Sequence, residues 1–201
     1  MKRLRLVLWI LVALVLIAAG ALLLFRERLS QPLPDQEQAS AIKLSGPFTL
    51  VGTDALPFDS RSLAGRPYAI FFGFTHCPDV CPTTLARLVR LRQQLAGKQP
   101  FAILFVTVDP ERDGPTEMRN YVDLFGSPVI GLTGSPQQIA QVNKKFGIFS
   151  EKHPGENGAY TVDHTATVLL FDRHGDFQST IAPDEADSAA LDKLKRLTTN
   201  S

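Results

Sequence analysis

The first apolar stretch is the longest. Leu6 to Phe25 reads LVLWILVALVLIAAGALLLF, twenty residues without a charge. A helix of that length, at 1.5 Å per residue, covers a hydrocarbon core of ~30 Å. Residues 1–28 are therefore read as an N-terminal transmembrane helix that anchors the chain. Lys2, Arg3 and Arg5 precede the run and Arg26 and Arg28 follow it, a slight bias toward a cytoplasmic N-terminus. A cleaved signal peptide with Ala19-Gly20-Ala21 as its small-residue site is the competing reading. The apolar run continues through Leu22, Leu23, Leu24 and Phe25, which weighs against cleavage. Without a nearby cysteine, lipoprotein anchoring is out. Without an Arg- and Ser-rich transit peptide, a bacterial inner membrane is favoured over an organelle.

Residues 29–45, LSQPLPDQEQASAIKLS, are polar with two prolines and read as a tether. One domain, 46–201, follows, and its apolar positions switch between two rhythms. GPFTLVG (46–52) suggests a short strand, and YAIFFGF (68–74) and FAILFVTV (101–108) are strands buried on both faces. Val80 to Ala96 has helical spacing, with Leu85, Leu88, Leu91 and Leu95 on one side. Pro115 to Phe125 is a helix, VIGLT (129–133) a short strand, and Ser135 to Phe146 a helix capped by Ser135 with Pro136 in its first turn. TATVLLFD (165–172) and FQSTIA (177–182) are strands joined by an RHGD turn, and Asp184 to Leu197 is a closing helix. Strands alternating with helices, then a hairpin, then a helix, predict an α/β sheet, part parallel and part antiparallel. That order fits a thioredoxin-like fold.

Charge narrows the partners. The formal net charge is +1, yet residues 30–201 carry 16 basic and 19 acidic side chains, a net −3. There is no basic stripe and no reason to expect nucleic acid.

The chain has only two cysteines, Cys77 and Cys81, at the turn between a buried strand and a helix. A helix N-terminus favours thiolate, the form that attacks disulfides and binds soft metals. Helical residues four apart have Cα atoms about 6 Å apart, toward the upper part of the disulfide range. A bridge across so few residues restricts the unfolded chain little, so a purely structural disulfide gains little stability. Without a second cysteine pair a zinc ribbon is excluded. Copper accepts fewer ligands, and Cu(I) prefers sulfur.

Four histidines could complete such a site. His76 adjoins Cys77 and points elsewhere or tunes the thiolates. His153 lies in the stretch KHPGENG, read as a loop, and His174 in a hairpin turn. His164, in YTVDHTATVLLFD, precedes a buried strand whose entrance faces the cysteine turn in thioredoxin-like folds. It is the best third ligand, with a purely structural histidine as the alternative. Asp79 and Asp163 could supply charge or hydrogen bonds around the ligands, and Asp79 could instead cap the helix. Asp109, Glu111, Arg112 and Asp113 follow a strand end, as a functional loop or as self-satisfied charge pairs. Met118 reads as a packed helix methionine.

Four segments in order, FFGFTHCPDVCPTTL, FVTVDPERDGP, YVDLFGSPVIGLTGSPQQI and YTVDHTATVLLFD, resemble the Sco (SenC/PrrC) family from Gly46 to the end. Gly114 stands where Thr is common, and Arg173 where Pro often precedes the last turn. The resemblance implies a thioredoxin-like domain outside the membrane, in the periplasm, that binds one copper ion. It implies Cys77, Cys81 and His164 as ligands, with delivery to the Cu(A)-bearing subunit of cytochrome c oxidase. Other copper chaperones or thiol reductases would be further partners.

The same two thiols would also serve a thiol-disulfide oxidoreductase that keeps the oxidase's copper-site cysteines reduced, through a reversible Cys77–Cys81 disulfide. A general thioredoxin is disfavoured by Thr165-Ala166-Thr167, where that fold carries a cis-proline. A peroxiredoxin is disfavoured by Ile70 and Phe74, where its pattern needs Pro and Thr.

Overall fold

The computed structural model describes residues 46–95, 100–155 and 159–199, with isolated positions 9, 20 and 44. The anchor expected over 1–28 and the tether over 29–45 lie outside the described residues, apart from those positions. Among the described residues no helix is long and apolar enough to cross a membrane. The chain separates into two compact units, Met1–Ala41 and Ile42–Ser201, and the sheet and its helices belong to the second.

In chain order, the described strands begin with β1 (Thr49–Gly52), β2 (Pro57–Asp59) and β3 (Tyr68–Gly73). They continue with β4 (Ala102–Thr107), β5 (Ile130–Thr133), β6 (Ser150–Pro154), β7 (Tyr160–His164), β8 (Val168–Phe171) and β9 (Phe177–Ile181). The helices are α1 (Val80–Gln93), α2 (Pro115–Asp123), α3 (Pro136–Phe146) and α4 (Asp187–Thr199). Seven strands form one sheet in the order β2-β1-β5-β4-β3-β8-β9. β3, β4 and β5 run parallel, and the antiparallel pairs flank them on both sides. This is the mixed sheet that the alternation of elements predicts.

The uninterrupted apolar runs occupy the centre because both faces of β3 and β4 are covered, and all six residues of each are buried. Ala69 and Phe71 join a layer with Leu85, Leu88 and Leu91 of α1, Met118 of α2 and Leu194 of α4. Tyr68, Ile70 and Phe72 face Ile139, Val142 and Phe146 of α3. Each such buried side chain contributes roughly 1.5–3 kcal/mol relative to exposure. α3 is closed by local chemistry at both ends. Ser135 and Gln138 form a reciprocal capping box, and Gly147 at φ 64° ends the helix in the left-handed region.

Several boundaries differ from the sequence pattern. α4 starts at Asp187 rather than Asp184 because Arg87 donates to the carbonyls of Ala182 and Glu185, and this holds 182–186 as a turn. β8 starts at Val168, so 165–167 are not strand. The main correction is a second sheet. Residues read as loop around KHPGENG form β6, which pairs antiparallel with β7 from Ser150↔His164 to Pro154↔Tyr160. His153 therefore lies on a strand, and His164 ends β7 while still preceding the buried strand β8, which begins at Val168. Period-2 patterning is weak here because Val162 is the hairpin's one buried apolar residue.

β3 ends on Gly73 for a steric reason. A Cβ at that position would lie 2.6 Å from the Cys81 sulfur and 2.8 Å from a ring carbon of Phe105. Gly73→Ala is expected to lower stability by about 1–3 kcal/mol, the usual cost of overpacking a core. It should also displace the Cys81 sulfur. Urea unfolding and the thiol's reaction rate with an alkylating reagent would check both effects.

Candidate metal centre

The segment between β3 and α1 makes a tight turn in which the Cys77 N–H donates to the Phe74 carbonyl at 3.2 Å. α1 begins at Val80, so Cys77 lies outside the helix and Cys81 within its first turn. The first N–H groups of a helix lack intrahelical acceptors. Here the Cys81 N–H donates to the Cys77 sulfur at 3.4 Å. Asp79 occupies the cap position without capping the backbone, and its carboxylate accepts from the Thr83 hydroxyl at 3.3 Å.

The two sulfurs are not equivalent. Cys77 is partly exposed and Cys81 is fully buried, and both are free thiols. Burial pushes the Cys81 thiol well above its ordinary range, and the nearby Cys77 and Asp113 push the same way. At Cys81, desolvation works against the thiolate that a helix terminus favours.

His164 reaches the pair from β7. Its Nε2 lies 3.5 Å from the Cys81 sulfur. Its Nδ1 faces the Thr165 carbonyl at 3.1 Å. A carbonyl only accepts, so Nδ1 carries the proton and Nε2 presents its lone pair to the sulfurs. The ring packs edge-on against Phe74 at 5.8 Å and Phe71 at 6.2 Å. Burial among these rings lowers its pKa from the usual imidazole value, against the opposing pull of the Thr165 carbonyl and Asp163. The neutral, ligating form is therefore favoured.

The hairpin that carries His164 is held by the loop after β4. Asp109 is fully buried, accepts from the Tyr160 hydroxyl at 2.8 Å, and pairs with Arg112. The Arg112 guanidinium stacks 3.7 Å above the Tyr160 ring and donates to the Tyr160 carbonyl at 3.1 Å. Lys152 of β6 adds an ion pair to Glu111 at 2.7 Å. The Asp109–Asp113 loop is thus both self-paired and a clamp on the hairpin. Tyr160 and Lys152 carry no metal-ligand chemistry and were not apparent as site residues in the sequence. The only sign was that Tyr160 opens the YTVDH segment.

Cys77, Cys81 and His164 come together, with their ligand atoms all within 4.8 Å of one another. Three donors at about 2.0–2.3 Å around one ion, as at zinc sites, lie about 3.5–4.0 Å apart in a trigonal arrangement, so a shift of about 1 Å would close the set. The other candidates stand apart. Asp163 is exposed on the outer face and pairs with His153 Nε2 at 3.1 Å. Asp79 faces Thr83, and His76 is exposed beside Thr75. His174 sits in the β8–β9 turn, and Met118 is buried in the core.

The SCO1/SenC family profile matches residues 36–199. The SCO2-like protein of Rickettsia felis is 34% identical over 197 residues, covering 92% of this chain and 94% of that protein. Protein SCO2, mitochondrial, of Saccharomyces cerevisiae is 31% identical over 92% of this chain, which spans only 64% of the yeast protein's length. The solved structure of Bradyrhizobium japonicum ScoI with copper bound is 40% identical. It matches 76% of this chain and 98% of its own, with a TM-score of 0.67. With its Cys-Cys-His cluster on a thioredoxin-like domain, the chain belongs to the SCO1/SenC family.

Proposed function

We propose that this protein is a membrane-anchored copper metallochaperone that carries one copper ion on Cys77, Cys81 and His164 and delivers it to the Cu(A) site of cytochrome c oxidase. The observation that carries this reading is the convergence of two thiols and a correctly tautomerised imidazole within 4.8 Å. Two sulfurs and one nitrogen suit copper in either oxidation state. Three protein ligands leave a coordination position for an incoming donor, so cargo can pass without first being released to water. His164 and half-exposed Cys77 sit where a partner's ligand can approach. Asp79 and Asp163 act as flanking charges rather than ligands, Asp163 by favouring positive charge near His164.

The natural recipient is the Cu(A)-bearing oxidase subunit, with other copper chaperones or thiol reductases upstream. Residues 1–28 would anchor the chain in a bacterial inner membrane, and the tether 29–45 would hold the domain 46–201 in the periplasm. A second reading is a thiol-disulfide oxidoreductase working on the oxidase's cysteines. It is favoured by one specific observation, the proximity of two free thiols across a single turn.

An anaerobic copper titration of the reduced full chain in detergent micelles tests the first reading. Cys77→Ser, Cys81→Ser and His164→Ala are each expected to weaken binding of a single equivalent by tenfold or more, as read by chelator competition. A wild type that holds copper no better than these variants, yet reduces a disulfide substrate, would replace the chaperone with the oxidoreductase.

The pH dependence of binding follows from the shifted groups. Burial keeps the Cys81 thiol protonated at neutral pH and His164 neutral, so copper must displace the Cys81 proton but no imidazole proton. Apparent Cu(I) affinity should therefore rise with pH between about 7 and 9, by up to about tenfold per pH unit for the proton from Cys81. A flat profile would mean that Cys81 is already a thiolate.

A further inference from the structure

Behind the cysteine turn lies a buried carboxylate that the copper site does not use as a ligand. Asp113 is fully buried. Its backbone is fixed from two directions: its N–H donates to the Asp109 carbonyl at 3.0 Å, and its carbonyl accepts from the Thr133 hydroxyl at 2.6 Å. Its side chain accepts from the Thr107 hydroxyl of β4 at 2.7 Å. The remaining contacts reach across to the turn. The Thr75 hydroxyl donates to Oδ1 at 2.6 Å, and the Thr75 N–H donates to Oδ2 at 3.0 Å. Among the described residues no lysine or arginine is paired with it. The nearest basic group is His76 Nδ1 at 3.7 Å.

We propose that Asp113 is a positioning residue for the cysteine turn. By taking both the N–H and the hydroxyl of Thr75, it fixes the turn so that the Cys77 sulfur stays within reach of Cys81. Thr75 is two residues before Cys77, and the Cys77 N–H closes the same turn onto Phe74. Anchoring Thr75 to β4 and β5 through Asp113 therefore leaves the Cys77 sulfur little freedom. Charge-assisted hydrogen bonds are the stronger kind, and in a dry site their loss is felt at the groups they hold. The two thiols consequently meet at a high effective concentration, for a shared metal ion or for each other.

This inference rests on the Cys77–Cys81 pair being the working pair of the site, but it does not require copper, so it is tested on the metal-free thiols. The reduced full chain in detergent micelles would be equilibrated with glutathione buffers. In that reaction Cys77 and Cys81 lose two protons and two electrons as their disulfide forms, and one glutathione disulfide becomes two glutathione thiols. Asp113→Asn and Thr75→Val are each expected to weaken the protein disulfide about tenfold, raising the midpoint by about 30 mV. The double variant should go no further than the larger single effect, because both remove one linkage. Thr75→Ser, which keeps the hydroxyl, should stay within about twofold of wild type.

Unchanged midpoints, a downward shift, or fully additive effects would overturn the proposal, even if the thermal midpoint falls. If Asp113→Asn does not fold, the contrast between Thr75→Val and Thr75→Ser decides the matter alone. Copper stoichiometry of the wild type, measured beside it, separates failure of this inference from failure of the copper reading.

Discussion

The buried contact between the end of β3 and the Cys81 sulfur is the constraint from which the site's geometry follows. Gly73 has no side chain, so the sulfur settles against the backbone and the Phe105 ring. That fixes the first turn of α1 and aims its free N–H at Cys77. The same burial turns the Cys81 thiol away from ionisation. A cation binding there would have to displace the proton that burial favours on this sulfur.

The third member of the cluster, His164, comes from outside the main sheet. β6 and β7 form their own two-stranded sheet, and a two-stranded hairpin is marginal by itself. Its placement depends on Asp109, Arg112 and Tyr160, which combine a buried carboxylate, a stacked guanidinium and a phenol in one contact set. Two elements of different origin therefore set the candidate metal centre. One is a strand-to-helix turn welded to the core. The other is a peripheral hairpin fastened by polar chemistry.

This division explains what the sequence made legible. β3, β4 and the apolar face of α1 were readable because burial on a regular element leaves a periodic trace. The Ser135 cap and the RHGD turn were readable because their chemistry is local. Both cysteines stood out by scarcity, and His164 by its place before an apolar run. The hairpin escaped because β6 is polar and mostly exposed, and β7, although it alternates, buries only Val162 among its apolar residues. Tyr160 escaped because its partner Asp109 is 51 residues away. Asp113 looked like one charge in a charged loop, and only the fold places it under Thr75. Long-range polar contacts leave no rhythm in a chain.

The unequal burial of the two sulfurs also gives the site a direction in time. A visiting molecule, whether it brings a disulfide or a donor atom, can touch Cys77 while Cys81 stays behind the turn. On the proposed reading, exchange would start at the outer sulfur and finish at the inner one, with Cys77 as the door and Cys81 as the latch.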